Sequence, residues 1–428
     1  MALIGGCMKK KILLKGPLLT RSGYGEQARF ALRALMAKQD VLDIYILPLN
    51  WGQTGWIPEY TEEKNYIDNI IEKTVGYMQQ GGKFDLSLQV TIPTEFDPQL
   101  ADYNVGYTAG IETTKASGEW MMKNNTMDKI IVVSNHSKNV FETTEYEATL
   151  GADAGPEAGK QFLLKNEVPI EVINYPVKSY ENLDIDLGEL KYDNNFLCVA
   201  QLGPRKNLEN TIRWFVEEFH DEEIGLVIKT NTRKNNLMDR TQCLSFITNL
   251  LSAYPDRTCA VHLLHGDMTD EEMHALYEHE NINAFVCLSH GEGFGLPFFE
   301  AAYSGIPVVC VGWSGQCDFL YDENKKPHFY EVAFDLNNVP ESVVWENVII
   351  KESMWANARE QSSKKAMRDC YNDLEKNTGI ASMAPEYAKI LAKRFSEEKM
   401  LQQFAGYIYN PTKEEIEWSK QLSEVNIL

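Results

Sequence analysis

The chain has 428 residues, 44% of them apolar, which is too long for one ordinary core and too apolar for a disordered chain. Its formal net charge of −21 and pI near 4.9 give a field that repels nucleic-acid backbones and anionic membranes on average. The eight cysteines show no C-x-x-C pair and no zinc-like spacing, so they read as reduced, buried thiols, and a cytoplasmic location is expected. The opening "MALIGGCMKKKILLKG" lacks the basic leader and apolar stretch of a secretion signal, and Met8 is an alternative start. No run approaches the roughly 18–20 apolar residues of a membrane span.

Along the chain, short apolar runs alternate with longer amphipathic ones. "KILLK" (11–15) reads as a strand, "GEQARFALRALMA" (25–37) as a helix, and "DIYILPL", "FDLSLQV" and "KIIVVS" as further strands. This βα alternation predicts a parallel sheet with helices on both faces. "LGADAGPEAGK" (150–160) reads as a mobile loop. The polar, acidic stretch 179–195 breaks the pattern and reads as a linker. The alternation then restarts with "FLCVAQ", "NLENTIRWFVEEF", "IGLVIKT", "TCAVHLLHG", "TDEEMHALYEH" and "NAFVCLS", and the chain ends in helical patterns. The reading is two doubly wound α/β domains, residues 9–178 and 196–410, with a final helix over 411–428 that, by the family resemblance set out below, returns to complete the first. Both sets of strand ends face one central cleft.

The densest stretch is "SHGEGFGLPFFEAAYSGIPVV" (289–309). A buried strand feeds a glycine loop. Pro297 stands where a helix would start, and Gly305 and Pro307 stop it. A helix N-terminus with free N–H groups suits an anion, and glycines let a ligand approach the backbone. Glu292 and Glu300, eight residues apart, are good acceptors for hydroxyls on either side of such an anion. A sugar nucleotide has that shape: sugar hydroxyls, diphosphate, ribose hydroxyls.

The same string resembles the E-x7-E signature of retaining GT-B glycosyltransferases, especially glycosyltransferase family 4, matching it at Glu292, Gly293, Phe294, Gly295, Leu296, Pro297, Glu300, Ala301, Gly305, Pro307, Val308 and Val309. The resemblance implies a GT-B fold. It implies that Glu292 meets the transferred sugar, that the backbone of Gly293 through Leu296 meets sugar and phosphate, and that Glu300 holds the ribose. "VAQLGPRKNLEN" (199–210) is similar to the family's diphosphate-clamping segment. Lys206 matches the family lysine, but Gln201 stands where the family has arginine; Arg205 and Lys229 are the candidates for the missing charge. The loop around Gly23, Tyr24 and Gly25 resembles the family's first-strand glycine loop facing the donor phosphates, with Arg21 and Arg29 nearby. Met268 lies where the family cups the nucleobase.

On the acceptor side, Gln89 stands near the place where many relatives have a histidine. Asn135 and His136 follow a strand end, and Glu112 is the candidate cleft carboxylate. Asp184 and Asp186 form a D-x-D string, but in the linker, so no metal is expected and lysine and helix dipole are to neutralise the leaving group. The resemblance thus implies a retaining, metal-independent hexosyltransferase with Glu292, Lys206 and Glu112 as catalytic candidates. It needs no cofactor beyond the nucleotide diphosphate sugar, with UDP-glucose foremost. The acceptor is a glycan, a lipid-linked sugar or, since the opening "KILLKGPLLTRSGYGEQAR" is also similar to phage-encoded transferases, a modified DNA base. A non-catalytic sugar-nucleotide binder of the same fold is the alternative.

Overall fold

A computed structural model describes residues 9–52, 55–57 and 60–409. Domain 1 is built from β1 (Lys10–Gly16), α1 (Gly23–Met36), β2 (Leu42–Pro48), α2 (Glu62–Gln79), β3 (Leu86–Val90), β4 (Tyr103–Thr108), α3 (Gly118–Asn124), β5 (Lys129–Val132) and α4 (Asn135–Thr143). The hairpin β6 (Tyr146–Thr149) and β7 (Gln161–Leu164) and the strand β8 (Ile170–Val172) complete it. Six parallel strands lie in the order β2-β1-β3-β4-β5-β8. The strands are apolar on both faces because helices cover both: Ile12, Leu14, Leu88, Val105, Ile131 and Val132 are fully buried. Each helix opens on a side-chain cap that satisfies an orphan N–H; Ser22, Thr61, Ser117 and Ser134 cap α1 to α4 in turn. The small-residue stretch 150–160, expected as a mobile loop, instead turns the β6–β7 hairpin, with Gly159 N–H donating to the Leu150 carbonyl at 2.9 Å.

Residues 173–194 run without helix or strand between β8 and the next strand. Domain 2 follows with β9 (Asn195–Val199), α5 (Leu208–Glu218), β10 (Gly225–Lys229), α6 (Leu237–Leu251), β11 (Ala260–Leu264), α7 (Asp270–Glu278), β12 (Ile282–Cys287), α8 (Leu296–Tyr303), β13 (Val308–Val311), α9 (Cys317–Leu320) and β14 (Tyr330–Val332). Its six parallel strands lie in the order β11-β10-β9-β12-β13-β14. The order therefore reverses between β9 and β12 in domain 2, and between β1 and β3 in domain 1. At each reversal two neighbouring loops diverge and leave a crevice beyond the strand ends.

An antiparallel hairpin, β15 (Phe334–Asn338) and β16 (Met354–Ala358), leaves domain 2 and grips domain 1. Thr114 N–H donates to the Met354 carbonyl and Met354 N–H to the Thr114 hydroxyl, both at 2.9 Å, while Ser117 Oγ donates to the Asn347 carbonyl at 2.8 Å. Helices α10 (Glu360–Lys376) and α11 (Gly379–Arg394) finish domain 2. The return to domain 1 comes earlier than expected, in α12 (Glu397–Ile408), where Phe404 packs on Phe30 and Tyr107 of domain 1. Ser396 and the acids Glu397 and Glu398 mark the helix start locally, but the packing on domain 1 is a tertiary contact. The expected returning helix at 411–428 lies outside the described residues. Among the described residues no helix is long and apolar enough to cross a membrane.

Candidate active site

The glycine loop leaves β12 at the domain 2 reversal and ends on Gly295, whose φ of +95° glycine alone adopts without strain. Glu292, in this loop, is 6% exposed. Its carboxylate meets Lys206 Nζ at 2.5 Å and Arg205 Nη1 at 3.2 Å and accepts from Ser289 Oγ at 2.7 Å. Burial alone would raise this carboxyl; Lys206 and then Arg205 overcome it and hold it at about 2. Its own N–H donates to Ser314 Oγ at 2.9 Å. Asn207, in the left-handed region at φ 53°, ties the loop after β9 to this one by donating to the Leu288 carbonyl at 3.0 Å.

The glycines also answer to the other domain. A Cβ at Gly291 would overlap the Glu112 carbonyl, and one at Gly293 the Ala109 carbonyl. Domain 1's 109–112 turn is thus laid directly on the loop. Arg205 crosses the same seam: it donates to the Gly291 carbonyl at 2.7 Å and lies 3.5 Å from Glu112 Oε1. Beside it His136 stands edge-on to Trp313 with ring centroids 4.8 Å apart, and burial lowers its imidazole to about 4, so it is neutral at pH 7. Asn135 bonds the seam rather than standing free, its N–H and amide donating to Asp318 Oδ2 at 2.8 and 3.1 Å.

A cavity of about 710 Å³ opens between the domains next to this knot. From domain 2 it is lined by Glu300, Met268, Leu296 and Lys229, and from domain 1 by Arg21 and Gly23. Glu300 accepts from Tyr277 Oη at 2.9 Å, and burial lifts its carboxyl to about 7 against that bond. Lys229 donates to the Gly266 carbonyl, and burial lowers its ammonium. Such a site offers a nearly neutral acceptor for hydroxyls, cations for an anion and an apolar edge for a planar ring.

Residues 257–331 match the family model "Glycosyl transferases group 1". The fold aligns with a structure of Anabaena HepE solved with UDP and glucose at TM-score 0.54 and 15% identity, covering 93% of this chain and 99% of that one. Residues 257–331 thus carry the pattern of the group 1 glycosyltransferases. Sucrose-phosphate synthase of Thermosynechococcus elongatus aligns at TM-score 0.55 and 14% identity over 93% of this chain and 98% of that one. A glycosyltransferase of Rickettsia africae aligns at 0.58 and 12% over 94% and 100%. At these identities the likeness speaks for the fold, which is GT-B. No curated protein matches the chain by sequence.

The fold thus brings Glu292, Lys206, Arg205 and Glu112 into one chain of ion pairs, while Glu300, Lys229, Met268, Gly23 and Leu296 line the neighbouring cavity. Gln201, on the cavity wall, donates to the Thr232 carbonyl at 2.7 Å. Four expectations meet a different structure. Gln89 is fully buried and braces the turn after β3, donating to Ser87 and the Asp97 carbonyl and accepting from Asp97 N–H, so it offers an acceptor nothing. The Phe294 ring packs on Tyr175, Phe299 and Phe319 in the core, leaving only its backbone to the loop. Gly25 is small because a Cβ would overlap the Thr20 carbonyl, a packing requirement within domain 1. Arg29 likewise is engaged with the Leu18 and Thr20 carbonyls and Glu26.

Sequence reasoning missed Ser289, Ser314 and Tyr277, which orient the two glutamates; Tyr277 lies 23 residues from Glu300 and only the fold joins them. It also missed a knot at Asp239, Cys243 and His265, whose donor atoms lie within 4.8 Å of one another. Asp239, against its burial, is kept ionised by bonds from the Thr232 hydroxyl and from the N–H groups of Thr232, Arg233 and Lys234. Burial raises the Cys243 thiol to about 11. With both Asp239 oxygens taken up by these bonds and by His265 Nε2 at 3.0 Å, the knot braces the loop after β10 to His265.

Proposed function

We propose that the enzyme moves a hexose from a nucleotide diphosphate sugar, UDP-glucose foremost, to an acceptor hydroxyl with retention of anomeric configuration. The observation that carries this reading is Glu300 in the cavity wall beside Met268 and Lys229, adjoining the Lys206–Glu292 pair. That spacing follows the donor from base and ribose through diphosphate to sugar. In the reaction the bond from the anomeric carbon to the phosphate oxygen breaks, and its electron pair leaves with the diphosphate. The acceptor oxygen bonds that carbon from the same face, and its proton passes to the departing phosphate oxygen. Lys206, Lys229 and Arg205 supply charge to the leaving group in place of the arginine absent at Gln201. Glu292, held ionised, positions sugar hydroxyls, and Glu112 is the carboxylate on the acceptor side. The UDP and glucose of the Anabaena structure favour UDP-glucose as donor.

The test is thermal stability with UDP, GDP and ADP and their sugar conjugates, with Glu300→Ala as control. A nucleotide at ~1,000 times its dissociation constant adds about 4 kcal/mol to stability. A shift with one base, reduced in the variant, supports the reading. A shift without any turnover of the sugar conjugate moves the non-catalytic binder to the front, no shift with any of them overturns both readings, and inverted product stereochemistry by NMR refutes retention.

A further inference from the structure

Residues 229–240, from the end of β10 into α6, hold four cations and a single acid, Asp239, in a chain whose net charge is −21. That acid is turned inward. Its carboxylate accepts from the N–H groups of Thr232, Arg233 and Lys234 at 2.9, 2.8 and 3.0 Å, and its own N–H donates to Asn236 Oδ1 at 2.9 Å, the cap of α6. With the backbone wrapped around one buried carboxylate, the intervening residues are pushed into solvent. Leu237 is 81% exposed and Met238 77%, and Arg233, Lys234 and Arg240 are exposed beside them. Among the described residues no carboxylate pairs with any of these three cations. The segment is therefore a rigid knuckle with two bare apolar tips and a collar of unpaired positive charge.

The knuckle stands at the rim of the interdomain cavity. Asn235 lines that cavity and donates to Asp267 Oδ1 at 2.6 Å. The same oxygen meets Arg21 Nη1 from domain 1 at 3.7 Å, and Arg21 N–H donates to the Gly55 carbonyl at 2.8 Å. Next to Gly55 on that opposite lip come Trp56, 52% exposed, and Tyr60, 90% exposed. Both lips thus carry large apolar side chains with nothing packed over them.

Apolar tips inside a cationic collar suit one surface above others. Leucine and methionine enter the acyl boundary of a bilayer while arginine and lysine stay at the phosphate level. Tryptophan and tyrosine rings favour the same interface. A nucleic-acid backbone would satisfy the cations but leave Leu237 and Met238 in water. The acidity of the whole chain does not forbid the contact, because charges beyond a Debye length of about 8 Å are screened while the collar touches the surface. We infer that this rim docks on the anionic face of a lipid bilayer, with the 233–240 knuckle as the anchor and Trp56 and Tyr60 as a second point of contact. The inference is independent of the transferase reading and needs no nucleotide sugar.

The experiment is co-sedimentation of the whole chain with vesicles of phosphatidylcholine containing about a third phosphatidylglycerol, against vesicles of phosphatidylcholine alone and against a DNA duplex. The protein should pellet with the anionic vesicles and be released as salt is raised. Leu237→Ser with Met238→Ser should weaken binding tenfold or more. Arg233→Gln and Lys234→Gln should each weaken it about fivefold, the worth of one interfacial cation. Tyr60→Ser should have a smaller effect, and Trp345→Ser, exposed on the hairpin connection, none. Unchanged melting temperatures would show that the variants fold. Leu237→Trp should add fluorescence that brominated acyl chains quench, since the tip is expected below the phosphates. The inference is overturned if the protein stays in solution with anionic vesicles, or if the Leu237 and Met238 double variant binds as wild type does. It is equally overturned if the duplex, and not the vesicles, captures the protein through Arg233 and Lys234.

Discussion

The two strand-order reversals face each other across one cleft, yet they are built from different chemistry. Domain 2's is ionic: Lys206, Arg205 and Glu292 are packed together behind a glycine loop. Domain 1's is aromatic and acidic: Tyr24, Trp51, Glu95 and Glu112. The difference teaches how one fold divides labour. On the proposed function, charge that develops on a leaving diphosphate is met by fixed cations, whereas a neutral hydroxyl needs positioning and little charge.

Removing charge from the ionic side should do most harm. Lys206→Met leaves a buried carboxylate with Arg205 as its remaining cation. We expect loss of about 3 kcal/mol of stability and of transfer by about a thousandfold or more, read by denaturant unfolding and single-turnover assay. A variant as stable and active as wild type would show that the pair is not central.

The seam between the halves should be next. Gly293→Ala places a Cβ against the Ala109 carbonyl. The cleft must open, and a shift of about 1 Å costs roughly a hundredfold in rate. Small-angle scattering should show a larger radius of gyration with both domains folded; an unchanged radius and rate would break the argument.

Glu300 should give a pH signature to the nucleotide end alone. Its carboxyl, lifted by burial to about 7, must ionise to accept two hydroxyls well, as the proposed ribose role requires. UDP affinity by calorimetry should therefore weaken up to about tenfold per pH unit below 7 and level off above it, with Glu300→Gln flat throughout. The stability effect runs the other way. The folded state binds the extra proton between the ordinary value of 4.5 and 7, so the contribution is complete below 4.5 and is lost as pH rises through 7.

The hairpin strap should matter least. Thr114→Val removes the hydroxyl that accepts from Met354 N–H, and about 1 kcal/mol of closure should go with it. Acceptor KM should rise severalfold while nucleotide affinity holds; equal effects on both would place the strap's influence elsewhere.

Much of the ionic half was legible in the chain. Glu292, the glycines, Pro297 and Glu300 are contiguous, because one loop and one short helix form that wall. Lys206 was legible for the same reason, on the neighbouring loop. Gln89 misled because its place in the chain says nothing about which way an amide at a strand end turns. The aromatic half was scattered over residues 24, 51, 95 and 112, with no spacing to link them.

The sequence by itself determined the two parallel α/β sheets and the ionic wall, since buried strands, glycine turns and helix starts are local requirements written in adjacent residues. Only the tertiary structure decided that Gly291 and Gly293 must also accommodate the other domain's backbone, that Tyr277 carries Glu300, that α12 crosses back at Ser396, and that Trp51 stacks on Tyr24. These are contacts between residues distant in the chain. Their energies come from burial and steric fit after folding, so no local pattern encodes them.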